Sequence, residues 1–231
     1  VRVYPWKTMQ NVNGWEYGTN YNFLKQISQY WVSKYNWKKQ EKKLNSFSNF
    51  TTSIDGLKIH FIKEKGSGKN PTPLLLLHGW PGSIIEFLEI IQKLAHPEKY
   101  GGEIEDAFDV IVPSLPGFGF SGLPTKPYGP RKIAKVMNKL MINHLKYKKY
   151  IAQGGDWGAT VSKWMADQFK DSCEALHLNL VLAWPPDSDD PIIQRTLKAD
   201  LGSGDEIFIP KMEGSNILIR DAMTIDDLSS Q

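Results

Sequence analysis

The chain predicts an α/β fold, a mostly parallel sheet with flanking helices, and three segments carry that expectation. Residues 73–77 and 108–113 are short, mostly apolar runs, as expected of parallel strands covered on both faces, and residues 148–152, Lys148-Lys149-Tyr150-Ile151-Ala152, read as a third short buried strand. Each run ends in a Gly- or Pro-rich loop, His78-Gly79-Trp80-Pro81-Gly82-Ser83, Ser114-Leu115-Pro116-Gly117-Phe118-Gly119-Phe120-Ser121 and Gly154-Gly155-Asp156-Trp157-Gly158. All three loops leave the carboxyl ends of their strands, the edge where open parallel sheets place their sites.

Taken in order, residues 51–54 and 57–62 read as a hairpin across Asp55-Gly56, a strong two-residue turn signal. The strand at residues 74–77 follows. Ser83 then caps a helix in which Ile84, Phe87, Leu88, Ile91 and Leu94 or Ala95 form one apolar stripe. Residues 108–112 make the next strand, and residues 149–153 the one after it. From Ala159 to Phe169 the apolar spacing is helical, and Cys173 is expected at the end of that helix. A last strand is expected at residues 176–182, with His177 inside it as a structural residue.

Between strand 149–153 and that helix, Asp156 has glycine at minus two and plus two, where a side chain would block a sharp turn. A lone Gly-x-Asp-x-Gly also suits an ordinary turn or helix cap. Its strand-turn-helix setting is that of a nucleophile elbow, with an aspartate as nucleophile. A backbone N–H after the first strand and another just after the nucleophile would form an oxyanion hole. Here those are the amides of Trp80 and Trp157.

These motifs resemble the microsomal-type epoxide hydrolases of the α/β-hydrolase superfamily. His78-Gly79-Trp80-Pro81-Gly82-Ser83 is similar to the family's oxyanion loop, and Gln153-Gly154-Gly155-Asp156-Trp157-Gly158 to its aspartate elbow. The stretches Trp15-Glu16-Tyr17-Gly18, Tyr30-Trp31, Trp37-Lys38-Lys39-Gln40-Glu41 and Ile54-Asp55-Gly56-Leu57 resemble the family's amino-terminal meander. The resemblance covers residues 15–183. It implies hydrolysis of an apolar epoxide to a vicinal diol through an ester on Asp156, without cofactor or metal. It further implies His78, Gly79 and Pro81 as loop-organising residues, and the aromatic residues near the loops, Trp80, Phe118, Phe120 and Trp157, would offer an apolar substrate wall. Detoxification or lipid-epoxide metabolism at the endoplasmic reticulum (microsomal) membrane is the setting it implies.

The same resemblance implies a pair of lid tyrosines that protonate the opening epoxide and a late histidine base oriented by an acid. Neither is found: the nine tyrosines all precede Asp156, and His177 is the one histidine after it. Residues 1–50 read as the meander, 51–184 as the hydrolase core, and 185–231 as an acidic tail in place of lid and remaining core. That tail has four basic side chains against ten acidic ones, while the whole chain carries +3. The expected molecule is a truncated hydrolase, incomplete at its carboxyl end, weakly stable and slow to turn over.

A hydrophobic content of 41% with eight tryptophans excludes a disordered chain. The apolar runs are strand-sized, so no membrane span is expected. A single cysteine, Cys173, excludes intramolecular disulfides, and no metal-ligand spacing occurs. Lysines at residues 34–43 and basic residues along 131–149 suit either a solvated helix face or an anionic membrane surface. Nucleic acid is excluded as a partner by the small net charge and the lack of a recognition motif. Two other classes stand beside the epoxide hydrolase: a haloalkane-dehalogenase-like aspartate hydrolase, and a non-catalytic relative that binds a lipophilic ligand or a partner.

Overall fold

The computed structural model describes residues 14–16 and 18–181, which fall into two units, Val1–Ser46 and Phe47–Gln231. Tyr17 and the acidic tail read from residue 185 lie outside the described residues. In the first unit, α1 (Tyr21–Ser33) and α2 (Trp37–Leu44) are each started by an asparagine. Asn20 accepts from the Phe23 N–H at 3.1 Å and Asn36 from that of Lys39 at 3.0 Å, satisfying donors that a helix start leaves free. Ile27, Tyr30, Trp31, Tyr35 and Trp37 line a shallow cleft of about 460 Å³ within this unit.

The second unit is built on one sheet in the order β1-β2-β4-β3-β5-β6. Its strands are β1 (Asn49–Ile54), β2 (Leu57–Glu64), β3 (Thr72–Leu77), β4 (Phe108–Pro113), β5 (Tyr150–Gly154) and β6 (Cys173–Leu178). The first two form the expected hairpin, with Ile54 opposite Leu57 and positive φ at both Asp55 and Gly56. From β4 to β6 the pairing is parallel. On one face Leu75, Leu77, Ile111 and Ala152 are buried against α4 (Pro130–Lys139) and α5 (Trp157–Gln168), through Ile133, Met137, Val161 and Met165.

Three sequence expectations change. The helix expected from Ile84 is a 3₁₀ turn at Ile84–Phe87 followed by a short α3 (Ile91–Ala95). There Glu86, Leu88 and Ile90 donate to carbonyls three residues back, and the β-branched isoleucines favour a longer helix little. The apolar stripe nonetheless buries Ile84, Phe87, Leu88, Ile91 and Ala95 as expected. Cys173 opens β6 and does not end the elbow helix, because its register partner Tyr150 draws it into the sheet. For the same reason β6 starts three residues earlier than the apolar run suggests and stops at Leu178.

At the amino edge of the parallel strands, buried Asp109 accepts from Lys65 Nζ at 2.8 Å, the Gly66 N–H at 2.9 Å and the Tyr147 hydroxyl at 3.0 Å. Burial and that carboxylate push the Tyr147 hydroxyl well above its ordinary range, so it stays a donor. Asp109→Ala would leave one buried donor, the Gly66 N–H, and one half-buried donor, the Tyr147 hydroxyl, without an acceptor. The expected loss is roughly 2–4 kcal/mol in denaturant unfolding, and a loss under about 1 kcal/mol would show that the network does not anchor this edge.

Candidate active site

Asp156 stands two residues past the end of β5 and directly before the first turn of α5, with φ 50° and ψ −124°. That backbone state is strained for a side chain with a Cβ and persists only where the surroundings over-determine it. Three glycines do so. A Cβ on Gly154 would overlap the Gly158 carbonyl, and one on Gly158 would overlap the Leu77 carbonyl at the end of β3. A Cβ on Gly79 would stand 2.5 Å from the Asp156 Cβ. The loop after β3 therefore closes directly onto the turn. The Trp80 N–H donates to Asp156 Oδ1 at 2.7 Å, and the Trp80–Pro81 peptide is cis.

Of the residues expected at the site, Asp156 and Trp80 are thus in contact, and Trp157 opens α5 beside them. The Trp80, Trp157 and Phe120 side chains are exposed. Phe118 is half-buried with its ring edge-on to His78, 5.2 Å between centroids. His78 is fully buried, and its Nε2 accepts from the Leu115 N–H at 3.1 Å. The proton therefore sits on Nδ1, which donates to the Gly79 carbonyl at 2.9 Å. One imidazole ties the loop after β3 to the loop after β4.

A second histidine was not singled out for the site yet shapes its rim. His60 Nε2 faces Asn49 Oδ1 at 2.9 Å and must donate, so Nδ1 accepts from the Ser114 hydroxyl at 3.0 Å. Ser121 accepts from the His60 N–H and donates to the Ser114 carbonyl, and the Phe120 ring stands edge-on to His60. Serines at both ends of the 114–121 loop were the available signal. Burial is the main cause that holds both His60 and His78 below their ordinary range, so both are neutral hydrogen-bonding struts.

The other histidines are placed elsewhere. His96 faces Ser67 and Glu64, and His144 faces Thr52. His177 is exposed on β6, in register with Gln153. Among the described residues no histidine hydrogen-bonds to Asp156, and no cluster of three or more His, Cys, Asp or Glu could hold a metal. Cys173 is buried with its thiol pushed up to about 12, chiefly by desolvation, which makes it a poor nucleophile.

A family profile described as alpha/beta hydrolase fold matches residues 72–205, more than half of the chain. The chain belongs to the α/β-hydrolase fold family. In this α/β-hydrolase, residues 1–87 also match a profile described as epoxide hydrolase N terminus. It is 44% identical over 171 residues to epoxide hydrolase 1 of Oryctolagus cuniculus, which covers 72% of this chain and 37% of that protein. The crystal structure of the juvenile hormone epoxide hydrolase of Bombyx mori is 36% identical with a TM-score of 0.66, over 77% of this chain and 42% of that one. An Aspergillus niger epoxide hydrolase structure is 32% identical with a TM-score of 0.65, over 80% and 51%. The resemblance read from the motifs is thus found along both units. The chain spans less than half the length of the rabbit protein and about half or less of these solved chains.

Two outcomes test this geometry. Gly158→Ala forces a methyl into the Leu77 carbonyl, and a melting shift corresponding to about 3 kcal/mol is expected; a protein as stable as the parent would mean the elbow is looser than it stands. For the histidines, a folded pKa below the unfolded 6.5 means the unfolded chain takes up protons first as pH falls. Their stabilising share is complete above about pH 6.5 and is lost as pH drops through the folded values. Chemical-denaturation curves should lose stability from pH 7 to 5 with a shallower slope in His60→Gln, and an unchanged slope would contradict this.

Proposed function

We propose that this chain carries the nucleophilic half-site of an epoxide hydrolase, with Asp156 attacking the ring carbon of an apolar epoxide. The observation that supports it most is the carboxylate itself, held on a strained turn with Oδ1 on the Trp80 N–H at 2.7 Å. Oδ2 is left to attack in line. A C–O bond forms to Oδ2 while the ring C–O bond breaks, and the released alkoxide takes a proton from solvent or a donor. Oδ1 then becomes the ester carbonyl, already beside the N–H that would stabilise negative charge when water adds to it. Trp157, first residue of α5, is the natural second donor. Exposed Trp80, Trp157 and Phe120 around the carboxyl edge suit an apolar ligand.

His78 and Gly79 with Pro81 act in this reading as loop organisers and not as reacting groups, because both ring nitrogens of His78 are occupied. Deacylation is the slow step for the 231-residue polypeptide. No histidine is positioned at Asp156 among the described residues, and a positioned base is typically worth about 10² to 10⁴-fold. Incubation of the purified chain with styrene oxide, followed by peptide mass spectrometry, should give an epoxide-mass adduct on Asp156 that outlasts repeated washing. Asp156→Asn should give none. Label absent from Asp156, or equal in the Asn variant, would remove the proposal, and rapid multiple-turnover diol formation would remove its account of the slow step.

A further inference from the structure

Four groups crowd the Asp156 turn, and one differs in kind from the others. Gly154 and Gly158 are confined by backbone carbonyls, and Gly79 by Asp156 itself. Gly155 is confined by a side chain: a Cβ there would run into Asn179 Oδ1, with Asn179 Cγ and Nδ2 both at 3.0 Å. The register explains why. Gly154 lies opposite Leu178, so the chain leaves β5 at Gly155 alongside the residue that follows β6. Asn179 lies just past the end of β6, exposed to solvent, with its side chain turned toward Gly155.

We infer that Asn179 is a positioning residue for the nucleophile: its side chain braces Gly155 from the β6 side while Gly79 closes on Asp156 from the β3 side. The inference rests on the epoxide hydrolase reading for its catalytic consequence, but not for the contact. A residue at φ 50° tends to relax toward commoner backbone states unless it is held from both sides. Removing the Asn179 side chain frees one side. The carboxylate then samples positions off the Trp80 N–H, and a misplacement of about 1 Å is enough to slow an in-line attack by up to about 10²-fold. The effect belongs to the chemical step, since Asn179 is not needed to hold the ligand.

The experiment follows single-turnover labelling of Asp156 by styrene oxide, with melting recorded for each variant. In Asn179→Ala the labelling rate at saturating epoxide should fall about tenfold, with the final labelled fraction, the half-saturating concentration and the melting temperature little changed. Asn179→Leu, of similar length and branching, should recover most of the rate, because the brace is steric. Gly155→Ala should lose melting temperature, and adding Asn179→Ala should restore at least half of that loss, a coupling that independent sites do not show. A wild-type rate in Asn179→Ala, a fall in labelled fraction alone, or losses that simply add in the double variant would overturn the inference. If the parent chain takes no label, the epoxide reading fails, and the melting coupling alone then decides whether Asn179 braces Gly155.

Discussion

Everything at the carboxyl edge of this sheet depends on how closely α5 approaches β3. Gly158, in the first turn of α5, lies against the Leu77 carbonyl at the end of β3, and Gly154 lies against Gly158. With any side chain at either position the helix would stand farther off and the turn between them would open. Asp156 would then leave its positive φ, and its carboxylate would leave the Trp80 N–H. The geometry at Asp156 is therefore a packing result: van der Waals contact between two backbones holds a local conformation that the aspartate alone would not choose.

A second layer of order comes from buried imidazoles used as neutral connectors. His78 joins the loops after β3 and β4 through one donated and one accepted hydrogen bond, and His60 joins β2 and β1 to the serines of the 114–121 loop. Burial depresses the basicity of both, which suits a strut and disqualifies a base. The opposite edge of the sheet uses a charged version of the same device, with buried Asp109 gathering an ammonium, a phenol and a backbone amide. The site thus stands on loops, but on loops whose polar ends are tied to strands.

Chemistry and position divide unevenly among the aromatic residues. Trp80 and Trp157 contribute backbone at the elbow while their indoles stand exposed, whereas Phe118 leans on His78 and Phe120 on His60. The two phenylalanines are thereby coupled to the histidine struts. Tyr147 and Tyr150 are tied at the far edge, their hydroxyls donating to Asp109 and Asn138 and pushed up by burial, so both remain donors held away from Asp156.

Sequence by itself determined the elements whose cause is local. Asp55-Gly56 dictates its hairpin because few residues tolerate two consecutive positive φ angles, and the apolar runs at 73–77 and 108–113 dictate buried parallel strands. The glycine spacing around Asp156 announced the elbow because a missing Cβ is visible in the sequence. Tertiary structure alone decided what depends on partners distant along the chain. The start of β6 at Cys173 follows from pairing with Tyr150. The His60 network and the Asn179 contact with Gly155 join residues tens of positions apart. No period or short motif encodes such contacts, because they arise only when separate strands are brought into register and their side chains must share one space.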